Sequence, residues 1–75
     1  MSDLNEISAH EIGRRLRLAR ENAGIKQDDA AQILSLSRPT LVSIEKGSRR
    51  IRIQELQKLA GFYGVSVNSI LRREA

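Results

Sequence analysis

The sequence has no cysteine and no tryptophan, and its 75 residues include one proline, one tyrosine and one phenylalanine. Without cysteine, disulfide bridges and thiolate metal sites are excluded. No apolar run approaches the roughly 20 residues that span a membrane, and residues 1–12 lack the basic start and apolar middle of a signal peptide. We therefore expect a single cytoplasmic domain with no membrane partner.

Groups that commonly carry catalysis are also scarce. His10 is the only histidine and stands beside Glu11, near a predicted helix start. The adjacent acids Asp28 and Asp29 could suggest a cation site, but the helix dipole also favours acids in a first turn. The sequence contains no glycine-rich phosphate loop, nucleophile–base pair or zinc-ligand spacing. We predict that the chain is not an enzyme and uses no cofactor or metal.

Apolar residues at helical spacing predict an all-α bundle of five helices. The predicted segments are Ala9–Asn22, Gln27–Leu34, a third helix capped by Ser37, Ile53–Tyr63, and a fifth helix capped by Ser66. Glycines are expected to end the first and fourth helices. The predicted buried faces include Ala23 in the first helix, Ser48 in the third and Ile53 in the fourth.

The third helix is predicted to have two different faces. Leu41, Ile44 and Ser48 recur on one side at helical spacing. The other side carries Arg38, Pro39, Val42, Ser43 and Lys46. Small polar groups, a methyl-bearing side chain and cations are what a helix needs in order to enter the major groove of DNA.

Positive charge is concentrated directly after the predicted turn. Residues 38–52 contain five cations and a single acid, Glu45, so this segment alone has the net charge of +4 found for the whole chain. A solvated basic surface is one interpretation. Because the segment includes the two-faced helix, a phosphate-binding surface is the favoured one.

Three segments of the sequence occur in a familiar order: IGRRLRLARENAGIKQ, DDAAQILSLSRPTLVSIEKG and LQKLAGFYGVSVNSIL. Together they resemble the lambda-repressor-like, or Xre-type (Cro/C1-type), helix-turn-helix family of bacterial and phage regulators over residues 12–71. The resemblance implies a compact five-helix, helix-turn-helix bundle in residues 9–75, with residues 1–8 as a flexible arm. It also implies sequence-specific binding of double-stranded DNA by a transcription regulator, a repressor in particular, at the nucleoid.

Four outward residues of the third helix are candidates for contacts with bases. Arg38 can present its fork to guanine O6 and N7, with a phosphate contact as the alternative. Pro39 and Val42 offer only apolar contact, for instance with a thymine methyl group. Ser43 can touch a base or act through a water molecule. In the resembled family, the residues that match Arg38, Pro39 and Ser43 face base edges.

A second set of residues is predicted to bind phosphates. Gln27 begins the second helix, where its amide and free backbone N–H groups can converge on a phosphate; a capping or surface glutamine is the alternative. The resemblance places Thr40 near the DNA backbone and implies that the loop after the third helix grips another phosphate stretch. Arginines 14, 15 and 17 of the first helix are interpreted as solvent-facing. The predicted set is Gln27, Thr40, Lys46, Ser48, Arg49, Arg50 and Arg52.

Glu45 is expected to need a cationic partner, because a free carboxylate beside DNA would repel phosphates. The resemblance pairs it with Arg20 in a partly buried salt bridge between two helices. Arg49, four residues further along the chain, is the alternative partner.

A symmetric homodimer on a palindromic operator is expected, because one helix-turn-helix unit reads only a few base pairs. Val67, Ile70 and Leu71 are the candidate dimer contacts; the alternative is that they only close the core. Two further functions stay open. One is an antitoxin-like component that neutralises a protein partner, and the other is the N-terminal domain of a longer regulator fused to a peptidase-like or sensor domain.

Overall fold

A computed structural model describes residues 7–72, and these residues form helices and no strand. This confirms the predicted all-α class with five helices. No helix among the described residues is long and apolar enough to cross a membrane. The helices are α1 (Ala9–Asn22), α2 (Gln27–Ile33), α3 (Arg38–Lys46), α4 (Ile53–Tyr63) and α5 (Val67–Leu71).

The core gathers around the inner face of α3. Both α1 and α2 pack against this helix. The largest fully buried side chains are Leu16, Leu41, Ile44, Leu56 and Leu59. Burying such a side chain contributes about 1.5–3 kcal/mol relative to leaving it exposed. Because Leu41 and Ile44 are anchored in this way, α3 is held by one face while its other face remains accessible.

Serine side chains fix the start of three helices. The Ser37 hydroxyl accepts a hydrogen bond from the Thr40 N–H at 3.3 Å, and that of Ser66 accepts one from the Ser69 N–H at 3.0 Å, as predicted. Ser8, assigned to the arm from the sequence, instead caps α1 by accepting from the Glu11 N–H at 3.0 Å. Ile7, also assigned to the arm, is partly buried against the core. Residues 1–6 of the predicted arm lie outside the described residues.

Three residues predicted to be buried are exposed. Ser48 lies beyond the end of α3, because Gly47 adopts a left-handed conformation with φ of 84° and turns the chain away. Ala23 is the C-cap of α1, and Ile53, the first residue of α4, is 52% exposed. Each of these residues continues the spacing of a buried helix face, but each lies at or beyond the end of its helix, where that face no longer meets the core. α2 likewise ends at Ile33, one residue earlier than predicted.

Arg15 is not a solvent-facing residue, contrary to the interpretation from the sequence. Its side chain is 10% exposed, and its Nη1 donates hydrogen bonds to the carbonyl oxygens of Ile70 at 3.0 Å and Arg72. Carbonyl groups in the last turn of a helix have no partner within the helix. Arg15 therefore satisfies the end of α5 and ties it to α1.

Candidate nucleic-acid interface

The buried ion pair predicted between α1 and α3 is present in the structure. Arg20 Nε lies 2.7 Å from Glu45 Oε2, and the side chains are 9% and 4% exposed. Arg20 Nη2 also donates to Glu45 Oε1 at 3.3 Å. The hydrogen bond to Glu45 raises the pKa of Arg20, so the guanidinium remains charged. The pair therefore fixes α3 against α1 by two contacts.

Polar contacts continue from this pair to the first residue of α3. Gln27 Nε2 donates to Glu45 Oε1 at 3.2 Å, and Gln27 Oε1 accepts from Arg38 Nε at 3.2 Å. The Arg38 side chain is 61% exposed. The Gln27 amide, predicted to bind a phosphate, therefore uses its carbonyl oxygen and one of its two amide N–H groups within the protein, which leaves the second amide N–H and the backbone N–H for that role. Arg38 Nε also lies 4.0 Å from the exposed Asp28 carboxylate, whereas its two terminal nitrogens form no hydrogen bond within residues 7–72.

The remaining candidates on α3 differ in how far they are accessible. Pro39 and Lys46 are exposed, whereas Thr40, Val42 and Ser43 are half-buried. The Thr40 hydroxyl lies 2.9 Å from that of Ser37, so it takes part in the helix cap. These positions surround the buried stripe of Leu41 and Ile44, in agreement with the two faces predicted for this helix.

The loop between α3 and α4 is held by its own polar groups. The Ser43 carbonyl oxygen accepts hydrogen bonds from the Ser48 N–H at 3.0 Å, from the Ser48 hydroxyl at 3.2 Å and from the Arg49 N–H at 3.2 Å. Glu55 accepts from the Arg52 N–H at 3.0 Å at the start of α4. The backbone of this loop is therefore restrained at both ends.

Arg49 does not pair with Glu45, the alternative considered from the sequence. Its Nη1 and Nη2 donate to the two carboxylate oxygens of Glu55 at 3.0 and 3.1 Å. The guanidinium of Arg49 lowers the pKa of Glu55, and the hydrogen bond from the Arg52 backbone lowers it further. Lys46, Arg50 and Arg52 are exposed and form no ion pair within residues 7–72. These three residues are the cations of the segment best placed to meet phosphates.

A surface cleft of about 430 Å³ lies beside the contact between α1 and α3 and is lined by side chains of both helices; the sequence did not reveal it. It lies beside the ion pair and includes two of the arginines that were interpreted as solvent-facing. The sequence contained one signal for the α1 side of this cleft: His10, Arg14 and Arg17 are spaced four and three residues apart, which places their side chains on one helix face. The lining residues are His10, Arg14, Arg17, Gln27, Val42, Glu45 and Lys46.

The candidate dimer residues are mostly engaged in the core. Ile70 is 3% exposed, while Val67 and Leu71 are partly buried against the core. Ile70 therefore closes the core, which was the alternative interpretation. The large apolar side chains that remain exposed in residues 7–72 were not predicted from the sequence. They are Leu18, Ile33, Ile53 and Phe62.

Comparisons with known proteins agree with this architecture. A helix-turn-helix family model, HTH_3, matches residues 16–70. The HTH-type transcriptional regulator DdrOP3 of Deinococcus deserti is 35% identical over 57 residues, which cover 76% of this chain and 44% of the relative. The regulator ImmR of Bacillus subtilis is 33% identical over 63 residues, covering 84% of this chain and 50% of the relative. This chain thus spans about half the length of these curated relatives.

A solved structure extends the comparison to a DNA complex. The structure of SinR, the master regulator for biofilm formation, in complex with DNA is similar with a TM-score of 0.69. The sequences are 28% identical, and the match covers 79% of this chain and 95% of that one. The residues matched by the helix-turn-helix family model include α2, α3 and the turn between them, which are the elements that carry most of the candidate residues.

Proposed function

We propose that this chain, which belongs to the helix-turn-helix family of the Xre (Cro/C1) type, binds double-stranded DNA with α3 in the major groove. The family is one of transcription regulators and not of enzymes. The observation that carries the proposal is the division of α3 into two faces. Leu41 and Ile44 anchor it, while Arg38 and Pro39 remain exposed at its N-terminal end. That end of a recognition helix is the part that contacts base edges.

The direct test is a selection of bound duplexes from random-sequence DNA. Enrichment of one sequence would support specific binding, and a pair of half-sites about 10 base pairs apart would support a dimer on a palindrome. Recovery of unrelated sequences only would contradict the assignment of α3 as a reading helix. A repressor role is part of the proposal, because a bound dimer can block the access of polymerase to DNA.

In this proposal Arg38 reads a guanine, and replacing it should change sequence preference. Its Nε is held by Gln27, whereas its terminal nitrogens can still form a fork with guanine O6 and N7. We expect Arg38→Ala to cost about 1–3 kcal/mol of binding free energy on the best site. Preference should be lost at one base-pair position of each half-site, measured by titrating a set of single-substitution duplexes.

Arg38→Lys is the matched variant, because it keeps the charge and loses the planar fork. It should retain nonspecific affinity and show a weaker preference for guanine than the wild type, because an ammonium group can still donate to guanine O6 or N7 but lacks the fixed fork. Equal losses on specific and nonspecific DNA for Arg38→Ala would instead identify Arg38 as a backbone contact. Pro39, Val42 and Ser43 are proposed as neighbouring contacts in the groove, with Val42 limited by its partial burial.

Phosphate contacts are proposed at both ends of the reading helix. At one end are Gln27, through its backbone N–H and its second amide N–H, and Thr40, and at the other are Lys46, Ser48 and the loop cations. Among the loop residues, Arg50 and Arg52 carry the charge in this proposal because Arg49 is bound to Glu55. Arg49 acts by holding the loop in the shape that presents its neighbours.

Salt dependence separates Arg50 from Arg49. Each phosphate contact contributes about 0.9 to the slope of log affinity against log salt concentration. We expect Arg50→Ala to reduce that slope by about 0.9 and to weaken all sequences alike. Arg49→Ala should leave the slope close to that of the wild type. An equal reduction for both variants would show that Arg49 leaves Glu55 and binds a phosphate in the complex.

A further inference from the structure

Three residues on one face of α1 line the cleft opposite α3. His10, Arg14 and Arg17 are spaced four and three residues apart, so they follow one another along a single helix face. Across the cleft, Val42 and Lys46 are one turn apart on α3. The cleft therefore has an α1 wall and an α3 wall, and the α3 wall belongs to the proposed reading helix.

The acids near this cleft are already occupied. Glu45 is buried and bound by Arg20. Glu11, on α1, forms ion pairs with Arg14 and Arg15. Arg17 is exposed and forms no ion pair within residues 7–72. Positive charge in the cleft is thus balanced only in part, with the Arg17 and Lys46 side chains left to meet an external anion.

The position of the cleft indicates which anion this is. It lies between Gln27, at the start of α2, and Lys46, at the end of α3. Both residues are proposed phosphate contacts. Arg17 lines the same cleft as both of them, so a DNA strand that contacts both is expected to lie beside Arg17. An arginine fork is well suited to phosphate oxygens.

We infer that Arg17 binds a phosphate of this strand, which makes α1 a further DNA-contacting element beside the start of α2 and the α3–α4 loop. The inference rests on the proposed function, since it requires α3 to lie in the groove. It goes beyond that function by assigning a residue outside the helix-turn-helix unit to the DNA backbone.

The test compares salt dependence for three variants on a selected duplex and an unrelated one. Arg17→Gln should reduce the slope of log affinity against log salt concentration by about 0.9. When the salt concentration is lowered from 1 M to 0.1 M, the affinity of the variant should therefore rise about eightfold less than that of the wild type. Both duplexes should lose affinity equally, because phosphates carry no sequence information. Arg17→Lys should retain the wild-type slope, because the charge is kept. Thermal unfolding should be unchanged, since Arg17 is exposed.

Lys58→Gln is the matched control, because Lys58 is an exposed cation of α4 that does not line the cleft. Its slope should equal that of the wild type. A wild-type slope for Arg17→Gln, together with a reduced slope for Arg50→Ala, would overturn the inference and leave the proposed function intact. An equal loss for Lys58→Gln would also overturn it, because the effect would then be one of net charge. If the wild-type protein binds neither duplex, the proposed function and this inference both fail.

Discussion

Replacing Glu45 with alanine is expected to lower the free energy of unfolding by about 3–5 kcal/mol. The buried Arg20 guanidinium then keeps only the Ile25 carbonyl oxygen and the Glu21 carboxylate, which is 4.0 Å away. The side chains of Arg20 and Glu45 are almost fully buried and are joined at 2.7 Å. The pair also acts on a buried neighbour: burial, and then the negative charge of Glu45, raise the pKa of the Tyr63 hydroxyl. The same substitution removes the acceptor of Gln27, whose carbonyl oxygen holds Arg38. Urea unfolding measures the loss.

A double-mutant cycle isolates the pair from other effects of truncation. The double variant with Arg20→Ala and Glu45→Ala should lose much less stability than the sum of the two single losses, because it leaves no buried charge without a partner. The control is Glu11 with Arg14, a pair on one helix whose side chains are 29% and 48% exposed, measured with the second partner of Glu11, Arg15, kept in all variants. Its coupling should be far smaller, because water screens exposed charges. Coupling of Arg20 with Glu45 no larger than in this control would contradict a stabilising bridge.

This ion pair shows how far the sequence leads at the candidate site. An acid within a basic segment indicated that Glu45 needs a cation, and the resemblance named Arg20. The competing partner Arg49 was favoured by a helical spacing of four residues, but α3 ends before that position. Gly47 turns the chain in a left-handed conformation, and Arg49 reaches Glu55 instead. Two residues four apart face each other only if both lie within the same helix. The sequence indicates where a helix ends only through its capping residues.

Most helix ends were predictable because their signals are local. Ser37 and Ser66 accept hydrogen bonds from N–H groups three residues later, and this chemistry can be recognised in the sequence. The cleft was not predictable, because it depends on how closely α1 approaches α3. The role proposed for Arg17 follows from that distance and from no motif. The link from Glu45 through Gln27 to Arg38 likewise requires α2 and α3 to meet at a particular angle.

Gly13 sets the distance between α1 and α3, and Gly13→Ala is expected to lower the free energy of unfolding by about 2–3 kcal/mol. A Cβ atom at this position would lie 2.4 Å from the Ile44 carbonyl oxygen and 2.5 Å from that of Glu45. These are backbone atoms, so the clash is relieved only by moving a helix. The loss exceeds the roughly 1 kcal/mol by which alanine is favoured over glycine within a helix. Thermal or urea unfolding measures the difference.

Gly61→Ala is the matched control, because Gly61 is also helical and a Cβ atom there meets nothing within 4 Å. Alanine at this position should raise the free energy of unfolding by about 0.5–1 kcal/mol. If the free energy of unfolding falls for Gly13→Ala and rises for Gly61→Ala, the loss at Gly13 comes from the contact between α1 and α3 and not from the replacement of a helical glycine as such. Equal stabilisation by both would contradict the close approach of α1 to α3.

Because the carbonyl groups that meet Gly13 belong to the last turn of α3, a displacement there also shifts Lys46 away from Arg17. Gly13→Ala is therefore expected to weaken DNA binding even at temperatures where the variant remains folded, whereas Gly61→Ala leaves binding unchanged.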